Sequence, residues 1–171
     1  IFWWFCWWNK GGTLFGHYTK HDNACFVAIN RTLARHARPD VAVILEGTPA
    51  DDTPGFQQDE SQAVVGEGVQ VRMHDPSAIM NPRLTDLTIE TAEKEKIPHQ
   101  LAVRRGGGTD AGRIHLSGEG VPCVVLGVPS RYIHSHNSII DIADYRAMVD
   151  LSVALIRRLT TEQVSGLTEF L

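Results

Sequence analysis

Three short stretches of the 171-residue sequence carry side chains that could bind a cation or move a proton. Glu46 ends the apolar run DVAVILE, and a glycine-rich loop, GGGTDAG, occupies residues 106–112. His134 and His136 follow a second apolar run, PCVVLGVP, within a few residues. Carboxylate oxygens and imidazole nitrogens are the usual ligands of zinc and similar ions, so these stretches indicate a metal site. The glycines would let the backbone approach a bound ligand closely.

The elements that must position these residues alternate between strands and helices. Four apolar or alternating runs predict strands at 40–46, 69–73, 99–104 and 122–129. The alternation predicts an α/β fold, with a mixed, mostly parallel sheet flanked by helices. Such sheets bind ligands beyond the carboxyl ends of their strands, and this is where the acidic, glycine-rich and histidine stretches lie.

Two long helices are predicted from their first residues. One begins with Asn81 as N-cap and Pro82 at the first helical position, and the other begins with Asp141 as N-cap. Helical spacing is shown in the first by Leu84, Leu87 and Thr91, and in the second by Ile142, Tyr145, Val149, Ile156 and Leu159. A last short helix is predicted near TEQVSGLTEF.

Composition argues against several classes of protein. A net charge of -4 gives no basic patch, so no nucleic-acid partner is predicted. The three cysteines are odd in number and show no CxxC spacing, which favours a reducing compartment and a cytoplasmic protein. The N-terminal run IFWWFCWW is too short to span a bilayer and lacks the layout of a signal peptide, so no membrane partner is predicted. It is interpreted as a buried central strand, with a fragment end or an altered segment as the alternative.

Each of the chemical features also has an ordinary structural interpretation. Glu46 could be a surface carboxylate at a strand end, and the glycine-rich loop could be a tight turn capped by Thr109 or Asp110. His134 and His136 could be loop residues that bind no metal. The loop lacks the GK[ST] of a phosphate-binding loop and therefore does not indicate nucleotide binding.

Five stretches of the sequence together are similar to one family. In order they are ILEGTPADDTPG, GEGVQVRMHDPSAIMNPRL, ETAEKEKIPHQL, GGGTDAGRIHLSGEGVP and VPSRYIHSHNSIIDIADY. They resemble the C-terminal half of the tetrahedral aminopeptidases, a group of metallopeptidases that includes glutamyl and deblocking aminopeptidases. The resemblance covers residues 39–171 and leaves 1–38 as a divergent N-terminal segment. It implies the C-terminal part of a zinc-peptidase-like catalytic domain, which is incomplete here.

The resemblance also implies the chemistry of the site. It implies two divalent metal ions, zinc or cobalt, which activate a water molecule that attacks a peptide with a free N-terminus, within a homo-oligomer. The implied metal ligands are Glu46, His134 and, in the motif TKHDNAC, Asp22 as the residue that bridges the ions. The implied substrate-binding residues are Gly107, Gly108, Thr109, Asp110 and Arg131.

The N-terminal segment departs from the family pattern. No glutamate precedes Glu46, so the glutamate pair that holds the general base is not found and the catalytic residues stay unknown. The Asp22 motif is one residue short and lacks its arginine; His17 or His21 could substitute as a ligand. Alternatively, ACFVAINRTLARHARPD corresponds to the helix that follows the glutamate pair.

Two functions therefore stay open. The first is a metal-dependent aminopeptidase, and the second is a degenerate, non-catalytic fragment of that family. A two-carboxylate glycosidase is a distant third, because no paired carboxylates support it.

Overall fold

The fold is a single mixed sheet with helices on it. The computed structural model describes residues 3–8, 14–19, 32, 34–56 and 61–169. Its strands are β1 Trp3–Trp8, β2 Leu14–Thr19, β3 Val41–Pro49, β4 Val69–Asp75, β5 Ala78–Ile79, β6 His99–Val103 and β7 Cys123–Ser130. The helices that follow β4 are α1 Pro82–Lys94, α2 Ala111–Ile114, α3 Ile142–Arg158 and α4 Thr161–Gly166.

The sheet has the order β2-β1-β3-β7-β4-β5, and β6 also pairs with β4. The predicted α/β class with a mixed sheet is confirmed. The sheet is less parallel than predicted: β3 pairs with β7 and β4 with β6 in parallel, whereas the other pairings are antiparallel. The prediction of direction rested on strands that are apolar on both faces. That pattern indicates that a strand is buried between two layers of other elements, but it does not indicate whether the strand is parallel or antiparallel to its neighbours.

The strands β3, β4 and β7 are buried on both faces, which explains their apolar runs. On one face, α1 and α3 pack against Val43, Val71, Val124 and Leu126, among others. On the other face, Ala42, Ile44, Cys123 and Val125 form a second cluster that includes Ile114 of α2. Because side chains alternate along a strand, Glu46 lies on the same face as Ala42 and Ile44.

The predicted beginnings of both long helices are confirmed. The side chain of Asn81 accepts a hydrogen bond from the backbone N–H of Leu84, and the side chain of Asp141 accepts one from that of Ala143. In α1 the predicted face is buried, at Leu84, Leu87 and Thr91. In α3 the predicted residues Ile142, Tyr145 and Val149 are exposed, whereas Ile156 is half-buried and Leu159, the C-cap, is buried. The buried face of the helix is formed by Ala147, Met148, Leu151 and Leu155. Helical spacing was thus correct there, but it did not show which apolar stripe faces the sheet.

The described part of the N-terminal run, Trp3–Trp8, is a strand that lies inside the sheet, as predicted, and its predicted burial stays a prediction. β1 lies between β2 and β3 and is antiparallel to both. Three elements were not predicted: β2, the two-residue strand β5 and the four-residue helix α2, of which the last two are too short for a periodic pattern. Within the described part of the chain, no helix has the length and apolar character needed to cross a bilayer.

We expect Gly68 to tolerate no side chain. Its φ is +97°, and a Cβ there would lie 2.2 Å from the carbonyl carbon and oxygen of Pro98. Gly66 is a matched control, because its φ is +94° and a Cβ there would meet nothing closer than an atom of Asp141 at 3.8 Å. Gly68→Ala should therefore lower the free energy of unfolding by about 2 kcal/mol or more beyond the loss caused by Gly66→Ala, as measured by urea denaturation. Equal losses in the two variants would contradict the packing described.

Candidate metal and substrate site

Glu46 lies near the carboxyl end of β3, buried, with its Oε1 2.9 Å from a terminal nitrogen of Arg72 on β4. The two strands are not neighbours, because β7 lies between them. The residue of β7 opposite Glu46 is Gly127, and a Cβ there would come within 2.9 Å of the Cβ of Thr48. The absence of a side chain at Gly127 therefore lets side chains from β3 and β4 meet across the middle strand.

The surroundings of Glu46 are both buried and acidic. Burial raises the pKa of Glu46 to about 8, although the charge of Arg72 opposes this, and the charges of Asp110 and Asp75 add to the rise. Arg72 thus contacts the carboxyl groups of Glu46 and Asp75, while the charge of Asp110 also acts on Glu46. A further cation at this place would offset the excess negative charge.

Asp75, at the end of β4, connects Arg72 to the glycine-rich loop. Its Oδ2 accepts hydrogen bonds from Arg72 at 3.3 Å and from the hydroxyl of Thr109 at 3.0 Å. Its Oδ1 accepts from the backbone N–H of Ser77 at 2.8 Å and from that of Ala78 at 3.1 Å. Burial alone would raise the pKa of Asp75, but the hydrogen bonds from Ser77 and Thr109 and the charge of Arg72 hold it below its ordinary value.

The glycine-rich loop has an anchored half and an open half. Thr109 is bound to Asp75, and Asp110 is buried immediately before α2. Gly107 has a φ of +76°, and a Cβ at Gly108 would lie 3.0 Å from the Ser77 hydroxyl. The positive φ favours glycine at position 107, and the close approach to Ser77 favours it at position 108.

His134 lies in the loop after β7, exposed and with a φ of +65°. It lines a cavity of about 540 Å³ together with Gly107, Pro49 and Arg104, among others. Pro49 ends β3, three residues after Glu46, and β3 is parallel to β7. Glu46 and His134 thus lie toward the carboxyl ends of two adjacent parallel strands, as predicted, and the open half of the glycine-rich loop lies beside His134.

Arg131 forms a two-point ion pair with Asp52. Its Nε lies 2.8 Å from Oδ1 and a terminal nitrogen 2.7 Å from Oδ2, and Asp52 also accepts a hydrogen bond from the backbone N–H of Val65. This pair ties the loop after β3 to the loop after β7. The predicted contact between Arg131 and a substrate stays a prediction.

We expect the Arg131 pair to make stability depend on pH. The hydrogen bond from Arg131 holds the pKa of Asp52 below its ordinary value, although burial opposes this. A carboxyl group with a lowered pKa stabilises the fold above its unfolded-state pKa of about 4, and the contribution is lost as the pH falls through the folded-state pKa. Thermal unfolding should show Asp52→Asn less stable than the unmodified chain at pH 6, with the difference shrinking below pH 4. A difference that stays constant down to pH 3 would contradict this.

The described residues supply part of a metal site. Among residues 34–56 and 61–169, no group of three or more His, Cys, Asp or Glu side chains is arranged to hold an ion. Asp22, the predicted bridging ligand, lies outside the described residues. Glu46 and His134 have suitable donor atoms, but alone they do not make a complete centre.

Arg72 and Asp75 are the residues that sequence analysis missed. Arg72 alternates with Val69 and Val71 in β4, a pattern that places polar side chains on the solvent face of a strand. Both are buried because α2 and the glycine-rich loop lie over that face. The one local signal was the sequence Asp75-Pro76-Ser77, which is typical of a turn in which the aspartate accepts from the backbone two residues on.

Comparison with known proteins gives one family. The family model for M42 glutamyl aminopeptidase matches residues 27–151. The glutamyl aminopeptidase of Lactococcus lactis subsp. cremoris is 36% identical over 132 residues, which are 77% of this chain and 36% of that protein. The chain therefore spans less than half the length of this relative.

Two solved structures have the same fold. A TET aminopeptidase from the marine sediment archaeon Thaumarchaeota archaeon SCGC AB-539-E09 superposes with a TM-score of 0.80 at 39% identity, over 83% of this chain and 40% of that one. The TET1 peptidase of Pyrococcus horikoshii, described as able to assemble into a tetrahedron or a large octahedral shell, has a TM-score of 0.61 at 28% identity, over 76% and 37%. With the match of the family model over most of the chain, these likenesses show that the protein belongs to the M42 glutamyl aminopeptidase family.

Proposed function

We propose that this chain supplies one side of the metal centre of a metal-dependent aminopeptidase, an enzyme that removes N-terminal residues from peptides. Family membership supports the reaction. The observation that carries the assignment of residues is the parallel pairing of β3 with β7, which places Glu46 and His134 toward the same edge of the sheet. In this proposal they are ligands of a centre of two zinc or cobalt ions, and the other ligands, with Asp22 as the bridging one, come from outside the described residues.

The substrate side of the site is proposed at the cavity beside His134. Gly107 lines the cavity, and Thr109 and Asp110 hold the loop that carries it. Gly108 allows that loop to approach Ser77. Arg131 acts here by fixing the loop that carries His134 through its pair with Asp52.

Assembly, location and domain limits are part of the same proposal. A homo-oligomer is supported by the assemblies described for the TET1 peptidase of P. horikoshii. The cysteine pattern favours the cytoplasm. We take residues 39–171 as the C-terminal part of the catalytic domain and 1–38 as a divergent segment, which contributes β1 and β2 to the sheet.

Metal binding tests this proposal directly. Isothermal titration of Zn²⁺ or Co²⁺ into the chain should show metal binding. Glu46→Gln and His134→Asn should each weaken this binding by about tenfold or more, because a metal centre that already has few protein ligands loses one of them. The matched control is His136→Asn, because His136 is exposed in the same loop, two residues after His134, and should leave the affinity unchanged. Equal affinities in all of these variants would refute the assignment.

The second candidate function, a non-catalytic remnant, has its own support. Residues 1–45 contain no glutamate, and the described residues hold no group of three or more side chains arranged to bind a metal ion. Such a remnant could retain one weak metal site. Binding of about two ions per chain favours the enzyme, whereas binding of one ion or none favours the remnant.

A further inference from the structure

We propose that Arg72 is a positioning residue that holds Glu46 and the glycine-rich loop in one fixed arrangement. This inference rests on the proposed function, because it concerns how the ligand side and the substrate side of that site are held together. It adds two residues, Arg72 and Asp75, to those that shape the site.

The arrangement is a continuous set of buried contacts that crosses the sheet. One terminal nitrogen of Arg72 binds the Glu46 carboxylate at 2.9 Å and the Thr48 hydroxyl at 2.8 Å. The other binds the Asp75 carboxylate at 3.3 Å, and Asp75 accepts the hydrogen bond from Thr109. Four side chains, from β3, β4 and the glycine-rich loop, are therefore connected through one guanidinium.

The geometry needs arginine in particular. Its planar fork can reach two carboxylates on different sides at once, whereas the single ammonium of a lysine is a point charge at the end of a flexible stem. Arg72 is only 4% exposed, and its Nε makes no hydrogen bond within the described part of the chain. Leaving this buried N–H without an acceptor costs free energy. The orientation of the guanidinium is therefore set by the contacts that its two terminal nitrogens make.

The arrangement has a consequence for the loop. Thr109 is the point where the loop meets this set of contacts, through its hydroxyl to Asp75 and its backbone N–H to the Ser77 hydroxyl at 3.1 Å. Gly106, the first residue of this loop, and Arg105, directly before it, are exposed and line the cavity beside His134. Loss of the anchor should therefore open the loop at Arg105 while the rest of the fold stays in place.

Limited proteolysis of the whole chain by trypsin detects this opening of the loop, because trypsin cleaves after arginine. The measured quantity is the rate of cleavage after Arg105 divided by the rate after Arg157, which lies in α3, so that a general loss of stability cancels. Arg72→Lys and Thr109→Val should each raise this ratio about tenfold. Thr109→Ser keeps the hydroxyl and should leave the ratio as in the unmodified chain.

Glu46 distinguishes coupling through Arg72 from a direct effect on the loop. The charge of Asp110, in the loop, acts on Glu46. If repulsion between these two carboxylates were the main connection, Glu46→Leu would close the loop and lower the cleavage ratio. We expect the ratio to rise instead, about threefold, because Arg72 loses one of its two carboxylate partners. A fall, or ratios within twofold of the unmodified chain for Arg72→Lys and Thr109→Val, would overturn the proposal.

A second readout keeps this inference separable from the proposed function. Thr109→Val should weaken Zn²⁺ binding by about threefold in isothermal titration, although Thr109 is not a proposed ligand, and Thr109→Ser should not weaken it. If the unmodified chain binds no Zn²⁺, the proposed function fails, while the proteolysis ratios still decide whether Arg72 positions the loop. If Zn²⁺ binds and Thr109→Val leaves its affinity unchanged, the ligand side is not coupled to the loop and the proposal is wrong.

Discussion

The 171-residue chain, supplied with Zn²⁺ or Co²⁺, should hydrolyse aminoacyl-p-nitroanilides at a rate close to background. The described residues offer two of the proposed ligands, and no glutamate precedes Glu46 to serve as the general base. Loss of a general base typically lowers the rate by about 10²–10⁴, and loss of metal ligands lowers it further. Absorbance assays with glutamyl and leucyl substrates would measure the turnover.

The assay needs a positive and a negative control. The glutamyl aminopeptidase of L. lactis, assayed in the same buffer, shows that substrates and metal are adequate. A chelator added to this chain should change nothing, because there is little metal-dependent turnover to remove. Vigorous turnover that the chelator abolishes would show that the N-terminal segment does contain the missing catalytic groups.

Arg72→Met is expected to be the most destabilising of the substitutions considered. It leaves the carboxylates of Glu46 and Asp75 buried without their common cation. Removal of one partner from a buried ion pair typically costs about 3–5 kcal/mol. Urea denaturation at pH 8 should show a loss of this size. The loss should be smaller at pH 5: the pKa of Glu46 is about 8, so at pH 5 its carboxyl group is protonated with or without Arg72, and only the Asp75 carboxylate loses a charge partner.

Arg158→Met is the matched control for this substitution. Arg158 pairs with Glu90, and the two side chains are 30% and 68% exposed, so solvent screens the pair. Its removal should cost less than about 1 kcal/mol. If Arg72→Met costs no more than Arg158→Met at pH 8, the buried arrangement around Arg72 is not as described.

Much of the fold could be predicted because its signals are local. Asn81 and Asp141 satisfy backbone donors in the first turn of their own helices, so the residue type alone indicates the position. The apolar runs identified β3, β4, β6 and β7 to within a few residues, and the rule for strand ends placed Glu46 and His134 toward one edge of the sheet.

The rest depends on which elements become neighbours. Arg72 meets Glu46 only because β7 separates β3 from β4 and carries Gly127 at the crossing point. The local sequence pattern of β4 does not indicate the order in which the strands lie in the sheet. For the same reason the apolar stripe of α3 at Ile142 and Tyr145 could not be assigned to the solvent side from its spacing. Contacts over long sequence separation decide both cases.

The central claim is that Glu46 and His134 are ligands of one metal centre. A crystal structure of the chain soaked in Zn²⁺, with data collected at the zinc absorption edge, tests it most directly. The account predicts an anomalous peak about 2.0–2.2 Å from a Glu46 oxygen or a His134 nitrogen, with these two side chains converging within about 6 Å of each other. A peak on other residues, with Glu46 bound only to Arg72 and His134 turned to solvent, would contradict it.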